Sequence, residues 1–141
     1  MCQLLETLDD LAPGAQEALK DTILVVDDDA SNIAYCTTCL KRFGFKFETA
    51  RHGGEAIALF KAHPERFSLI LMDLQMPNCT GEEAFWTIRG LDAFGAAIPI
   101  VAVTAHALDQ SRERCLSMGM ADYLTKPYRP KELKALVERW T

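Results

Sequence analysis

Ser68-Leu69-Ile70-Leu71-Met72-Asp73-Leu74-Gln75-Met76-Pro77-Asn78-Cys79-Thr80-Gly81 is the stretch that decides how the chain is read. Leu69 to Met72 is a short apolar run. Such a run fits a strand buried on both faces, although on its own it also fits a piece of buried helix. Asp73 follows at the point where a strand would leave the core, and Pro77 and Gly81 then turn the chain. In open α/β sheets, ligand-binding groups sit at the carboxyl ends of buried strands. Asp73 is therefore the candidate functional centre, and the question is which other segments send partners to it.

Upstream, Thr22 to Val26 is β-branched and apolar, reads as a first strand, and ends in Asp27-Asp28-Asp29. Ala30 to Phe43 reads as a helix with Ile33, Leu40 and Phe43 inward, capped by Asp29 or Ser31 and stopped by Gly44. Phe45 to Ala50 alternates as an edge strand would, and Gly53-Gly54 leads into a helix over about 55–62, whose buried side is Ala56, Ile57, Leu59 and Phe60. Downstream, a helix from Glu82 to about Leu91 uses Phe85, Trp86 and Ile88 as apolar contacts. Pro99 to Val103 is a fourth strand, Leu108 to Met118 a fourth helix ended by Gly119, and Asp122 to Leu124 a short fifth strand. Pro130 opens a last helix to about Trp140, with Leu133, Leu136 and Val137 inward. Strands alternating with helices predict a doubly wound parallel sheet covered on both faces. Residues 1–21 are expected to be a leader or linker, with Leu4, Leu5, Leu8 and Leu11 at helical spacing before Pro13-Gly14, and residues 22–141 to be the domain. The last helix runs to the end of the sequence, so no output domain is expected after it.

In such a sheet the carboxyl ends of all strands share one edge. The first strand brings Asp27 and Asp28 there, the third Asp73, the fourth Thr104 and the fifth Lys126, followed by Pro127. Carboxylates a few ångströms apart repel one another and need counter-charge. Lys126 offsets one negative charge, and a divalent cation offsets others. Oxygen ligands suit a hard ion such as Mg²⁺. Such an ion with an ammonium beside it stabilises a phosphoryl group in transfer, and a carboxylate can accept that group as an acyl phosphate. Asp73 is the natural acceptor.

The totals narrow the class. The chain has 141 residues and a formal net charge of -5, with no long run of either sign. One domain is expected, and direct nucleic-acid binding is not. No apolar run is long enough for a membrane span and the first residues lack the features of a signal peptide, so a cytoplasmic location is expected. The five cysteines are an odd number, scattered, and read as reduced thiols. Cys36-x-x-Cys39 lies inside the first helix without a second pair, so packing is the favoured reading over metal or redox chemistry. His52 and His63 read as surface residues, and His106 stands at the mouth of the site.

Four pieces, each closing a predicted strand, carry a resemblance: Val25-Val26-Asp27-Asp28, Met72-Asp73-Leu74-Gln75-Met76-Pro77, Val103-Thr104-Ala105 and Tyr123-Leu124-Thr125-Lys126-Pro127. Together they resemble the response-regulator receiver domain of two-component signalling, over about residues 22–140. Thr104-Ala105-His106-Ala107-Leu108 with Arg112-Glu113-Arg114-Cys115-Leu116 looks most like receivers of hybrid sensor histidine kinases. The resemblance implies a flavodoxin-like (βα)5 fold with strand order 2-1-3-4-5. It implies that Asp73 is the phosphoacceptor for a histidine-bound phosphoryl group. Asp27, Asp28, Asp73 and the backbone carbonyl of Gln75 would hold Mg²⁺. Thr104 and Lys126 would contact the phosphoryl group, and Tyr123 would be the switch aromatic that couples it to the face of the fourth helix, fifth strand and fifth helix. The partner implied is a histidine kinase or histidine phosphotransfer domain, with a homodimer through that same face as a further possibility. Such a domain catalyses only its own phosphorylation and dephosphorylation. One departure stands out: Thr80-Gly81 occupies the place of the usual Asp-Gly, which leaves the metal ligands intact but bears on loop geometry.

Two other classes fit the sequence less well. An Asp-nucleophile phosphatase or phosphotransferase acting on a small phosphate ester would want a second acid two residues after the nucleophile, where Gln75 stands, and a lid domain. A flavin-binding electron carrier would want a hydroxyl- and glycine-rich phosphate loop after the first strand, where three aspartates stand instead.

Overall fold

The computed structural model describes residues 21–74, 76, 80–105 and 109–141. Five strands, β1 (Thr22–Val26), β2 (Lys46–Ala50), β3 (Phe67–Met72), β4 (Ile100–Thr104) and β5 (Asp122–Thr125), form one sheet in the order β2-β1-β3-β4-β5. Every neighbouring pair is parallel. The main helices are α1 (Ala30–Arg42), α2 (Gly53–Ala62), α3 (Gly81–Arg89), α4 (Asp109–Met118) and α5 (Pro130–Trp140). The doubly wound architecture and strand order expected from the sequence are present. The leader assigned to residues 1–21 lies outside the described residues except for Asp21.

Alternation along β1 explains the layering. Leu24 and Val26 point into one core with Ala56 and Phe60 of α2, Phe85 and Ile88 of α3, and Cys115 of α4. Ile23 and Val25 point into the other with Cys36, Cys39 and Leu40 of α1 and Leu133, Leu136 and Val137 of α5. Successive side chains of a strand face opposite sides, so a continuously apolar strand needs helices on both. Each fully buried large side chain contributes about 1.5–3 kcal/mol. Both cysteines of α1 are buried packing residues, in line with the favoured reading of that pair.

The helix ends follow local chemistry. Asp29 caps α1, accepting from the amides of Ser31 (2.8 Å) and Asn32 (3.3 Å). Gly44, at φ 83°, takes the left-handed conformation that lets the chain leave that helix. Helix α2 begins two residues before the predicted Glu55 because the His52 Nδ1 accepts from the Glu55 amide at 3.1 Å. His52 is thus exposed, as expected, but it also caps a helix.

Two expectations need correction. The sequence pattern puts Trp86 among the apolar contacts of α3, yet it is 53% exposed, while Phe85 and Ile88 fill the core. Neighbouring residues on a helix point about 100° apart, and the rings of Trp86 and Phe85 meet at a steep angle, with centroids 5.1 Å apart. A short helix, Ala93–Ala97, also occupies what read as a connection; Asp92 caps it by accepting from the Gly95 amide at 2.9 Å. Five residues are too few to show a helical period. No helix of the described residues is long and apolar enough to cross a membrane.

At the opposite edge, Asp122 accepts from the Trp140 indole (3.1 Å) and Arg139 (2.8 Å), and from the amide of Tyr123 (2.8 Å). Burial pushes its carboxyl up, but the hydrogen bonds outweigh burial and the pKa lies below the usual carboxylate value. A lowered acid stabilises the fold above its unfolded pKa and loses that contribution as pH falls through the folded one. We therefore expect a Trp140 fluorescence change on acidification that begins only below about pH 4. It should be absent from Asp122→Asn; a titration identical in both proteins would contradict this assignment.

Candidate functional site

The strand ends are fixed one residue beyond the strands themselves. The Asp27 amide donates to the Ala50 carbonyl (3.1 Å), the Asp73 amide to Val26 (2.9 Å) and the Lys126 amide to Thr104 (2.8 Å). Each of these three residues is thus held by the neighbouring strand. The side chains leave the ladder at the carboxyl edge of β1, β3 and β5, where the sequence placed them.

There the acids converge. Asp27, Asp28 and Asp73 each offer one carboxylate oxygen, and these oxygens all lie within 4.8 Å of one another. Asp27 and Asp73 are only 5% and 6% exposed. The Lys126 Nζ sits 2.5 Å from Asp27 Oδ2 and 3.6 Å from Asp73 Oδ2. Three carboxylates with one ammonium leave an excess of negative charge in a partly desolvated place. Oxygens bound to Mg²⁺ at about 2.0–2.1 Å lie about 3 Å apart when adjacent and at most about 4.2 Å apart, so this cluster would contract around such an ion. An all-oxygen donor set also fits a hard cation rather than zinc. Thr104, 1% exposed, ends β4 beside them. Gln75, assigned a backbone ligand, lies outside the described residues, as do Asn78, Cys79 and His106.

Supports arrive from residues that sequence reasoning did not single out. Asp27 Oδ1 accepts from the Asp29 amide at 2.9 Å, and Arg51 donates to the Asp28 carbonyl at 2.9 Å, bracing the acidic turn. Nothing in the sequence marks Arg51, which reads as a loop cation. Gly81 brings the start of α3 against β3 so closely that an added Cβ would lie 2.1 Å from the Asp73 carbonyl oxygen. Thr80 caps that helix in a reciprocal pair: its hydroxyl accepts from the Glu83 amide (3.1 Å), and Glu83 accepts from the Thr80 amide (2.8 Å). The residue that departs from the familiar Asp-Gly pattern thus has a structural task.

On the α1 side, a groove of about 510 Å³ opens beside Asp27 and Lys126, walled by Asn32, Tyr35, Cys36 and Tyr128. The Tyr35 hydroxyl donates to the Tyr128 carbonyl at 2.8 Å and the two rings are 5.4 Å apart. Burial pushes the Cys36 thiol up to about 11, so it stays protonated at neutral pH. Tyr123 is buried on the other face of the sheet, among Cys115 and Met120. Its hydroxyl has no hydrogen-bond partner among the described residues. Burial, with Cys115 nearby, raises its pKa.

Residues 23–138 match the family model for the response regulator receiver domain. The sensor histidine kinase GacS of Pseudomonas protegens is 36% identical over 138 residues, covering 96% of this chain and 14% of that protein. BarA, a signal transduction histidine-protein kinase of Escherichia coli, is 36% identical over 131 residues, covering 92% of this chain and 14% of that protein. The chain therefore spans only about one seventh of the length of these relatives. Among solved structures, the receiver domain of the sensor histidine kinase PA1611 from Pseudomonas aeruginosa superimposes with a TM-score of 0.75 at 36% identity, covering 85% of this chain and 96% of that one. That structure has a magnesium ion coordinated in its active-site cleft. The chemotaxis protein CheY4 of Vibrio cholerae aligns with a TM-score of 0.78 at 28% identity, over 85% of this chain and 98% of that one.

Proposed function

This chain belongs to the response regulator receiver domain family, and we propose that Asp73 is its phosphoacceptor, taking a phosphoryl group from a phosphohistidine of a histidine kinase or histidine phosphotransfer domain. The observation that carries this reading is the buried carboxylate pair Asp27 and Asp73 sharing one ammonium, Lys126, with Asp28 close enough to complete an oxygen cluster. Asp27, Asp28 and Asp73, with the Gln75 carbonyl, would hold Mg²⁺. When bound, the ion supplies charge neutralisation at the phosphoryl oxygens.

The chain's own residues do the rest. A carboxylate oxygen of Asp73 attacks phosphorus, the phosphorus–nitrogen bond of the donor imidazole breaks, and an acyl phosphate forms. Lys126 lies within reach of both Asp27 and Asp73, so its ammonium ion-pairs with the oxygens that arrive. The Thr104 hydroxyl, at the end of the adjacent strand, donates to one of them. Tyr123 pairs with Ala102 across β4 and β5, two residues from Thr104. Movement of Thr104 toward the phosphoryl group is then relayed through Tyr123 to the surface of α4, β5 and α5, changing affinity for a partner. Catalysis is confined to the domain's own modification.

Incubation with a phosphorylated histidine kinase and Mg²⁺ is expected to add one phosphoryl group per chain by intact mass, and omission of the cation to prevent it. Repeated turnover of a small phosphate ester without a single stable label would overturn the reading in favour of the phosphatase alternative.

A further inference from the structure

One peptide unit beside the acidic cluster is gripped at both ends. Its N–H, carried by Asp29, donates to Asp27 Oδ1 at 2.9 Å. Its carbonyl, carried by Asp28, accepts from Arg51 Nη2 at 2.9 Å. The first contact fixes how the Asp27 carboxylate is turned, and the other oxygen of that carboxylate, Oδ2, meets Lys126 Nζ at 2.5 Å. A line of hydrogen bonds thus runs from the Arg51 guanidinium, through one peptide and one carboxylate, to the ammonium that also faces Asp73 at 3.6 Å.

Arg51 is itself placed by α2. Its amide donates to Glu55 Oε1 at 2.7 Å, while the Glu55 amide donates to His52 Nδ1 at 3.1 Å. These two bonds pin the short connection between β2 and α2, from which the Arg51 side chain reaches across to the end of β1. A charged donor bonds a carbonyl more strongly than a neutral one. It also polarises the peptide, so that the N–H at the far end becomes a better donor. Removing the guanidinium therefore loosens the Asp29–Asp27 contact as well as its own. Mg²⁺ demands near-ideal octahedral geometry, so it is sensitive to how firmly its carboxylates are held.

We propose that Arg51 is a positioning residue for phosphoryl transfer: by holding the Asp28–Asp29 peptide it presets the Asp27 and Asp28 carboxylates for Mg²⁺ and keeps Lys126 on Asp27. The proposal rests on the reading of Asp27, Asp28 and Asp73 as ligands of the cation. A guanidinium acting only as a nearby charge has an effect of opposite sign. It would compete with the ion, so its loss would tighten Mg²⁺ binding, most of all at low salt. Loss of a brace weakens binding, because the acids must then be ordered at the moment the ion arrives.

Calorimetric titration of Mg²⁺ into the unphosphorylated full chain separates the two. Arg51→Met keeps the apolar stem without a donor, and its dissociation constant for Mg²⁺ is expected to rise several-fold. Arg51→Lys, which retains a charged donor, should recover most of that loss. Without metal, the Asp29 amide should exchange hydrogen faster in Arg51→Met, whereas the Asp27 amide, bonded to the Ala50 carbonyl at 3.1 Å, should exchange as in wild type. Phosphoryl uptake by Arg51→Met should be slow at limiting Mg²⁺ and return toward the wild-type rate at saturation. Unchanged or tighter Mg²⁺ binding by Arg51→Met, or an Asp29 amide that keeps its wild-type exchange rate there, would overturn the proposal and leave Asp73 as phosphoacceptor. A wild-type chain that binds no Mg²⁺ would overturn the metal reading and this proposal together.

Discussion

Asp73→Asn is expected to take up no phosphoryl group under conditions in which the wild-type chain gains one. The amide keeps the size and shape of the side chain but lacks the anionic oxygen that attacks phosphorus. The variant should not be less stable without metal. Asp27, Asp28 and Asp73 share a single ammonium, and Lys126 already lies closer to Asp27 (2.5 Å) than to Asp73 (3.6 Å). Removing one negative charge relieves repulsion while the shorter ion pair persists. Added Mg²⁺ separates binding from chemistry. At a concentration about 100 times its dissociation constant, a ligand that binds only the folded state adds about 2.7 kcal/mol. The variant should gain less, having lost one anionic ligand. Intact mass reads the first outcome, and thermal melts with and without Mg²⁺ read the second. A wild-type level of label on the variant would place the acceptor elsewhere.

The residues that answer to Asp73 were legible because the signals reinforced one another. A buried strand is apolar and short, its end is marked by the first charge, and a parallel sheet brings such ends to one edge. Asp27, Asp28 and Lys126 follow from that rule, and Thr104 from its place at the same edge, as the last residue of β4. It gives residues and an edge, not rotamers, so it could not say that Lys126 would lean toward Asp27. Nor could it place Arg51 on the Asp28 carbonyl, because loop cations carry no periodic signal. Trp86 misled for a related reason: an aromatic on an amphipathic helix suggests core, yet which face turns inward is set by the neighbours across the helix, here Phe85 and Ile88. The short helix Ala93–Ala97 rests on local contacts, the Asp92 cap and Arg89 donating to the Gly95 and Ile98 carbonyls, rather than on a pattern.

Gly81→Ala is expected to destabilise the fold by about 3 kcal/mol and to impair phosphotransfer with it, although residue 81 carries no functional group. In sequence this glycine reads as a turn. In the structure its role is proximity, because a methyl group there would meet the Asp73 carbonyl oxygen at 2.1 Å and the Leu74 Cα at 2.7 Å. Both are backbone atoms and cannot rotate aside. Relief requires the start of α3 to lift from β3, which the Thr80–Glu83 cap and the fully buried Phe85 and Ile88 oppose. Whatever movement occurs is transmitted to the peptide that carries Asp73, so acceptor geometry and stability should fail together. Gly54→Ala is the matched control: its new methyl meets only the His52 ring, at 3.4 Å, within a helix. Alanine there is expected to be neutral or stabilising, by up to about 1 kcal/mol. Urea melts of the two variants, with the rate of phosphoryl uptake by each, distinguish a close approach from a mere turn. Equal, small effects at both positions would mean that the backbone at residue 81 is free to move without disturbing Asp73.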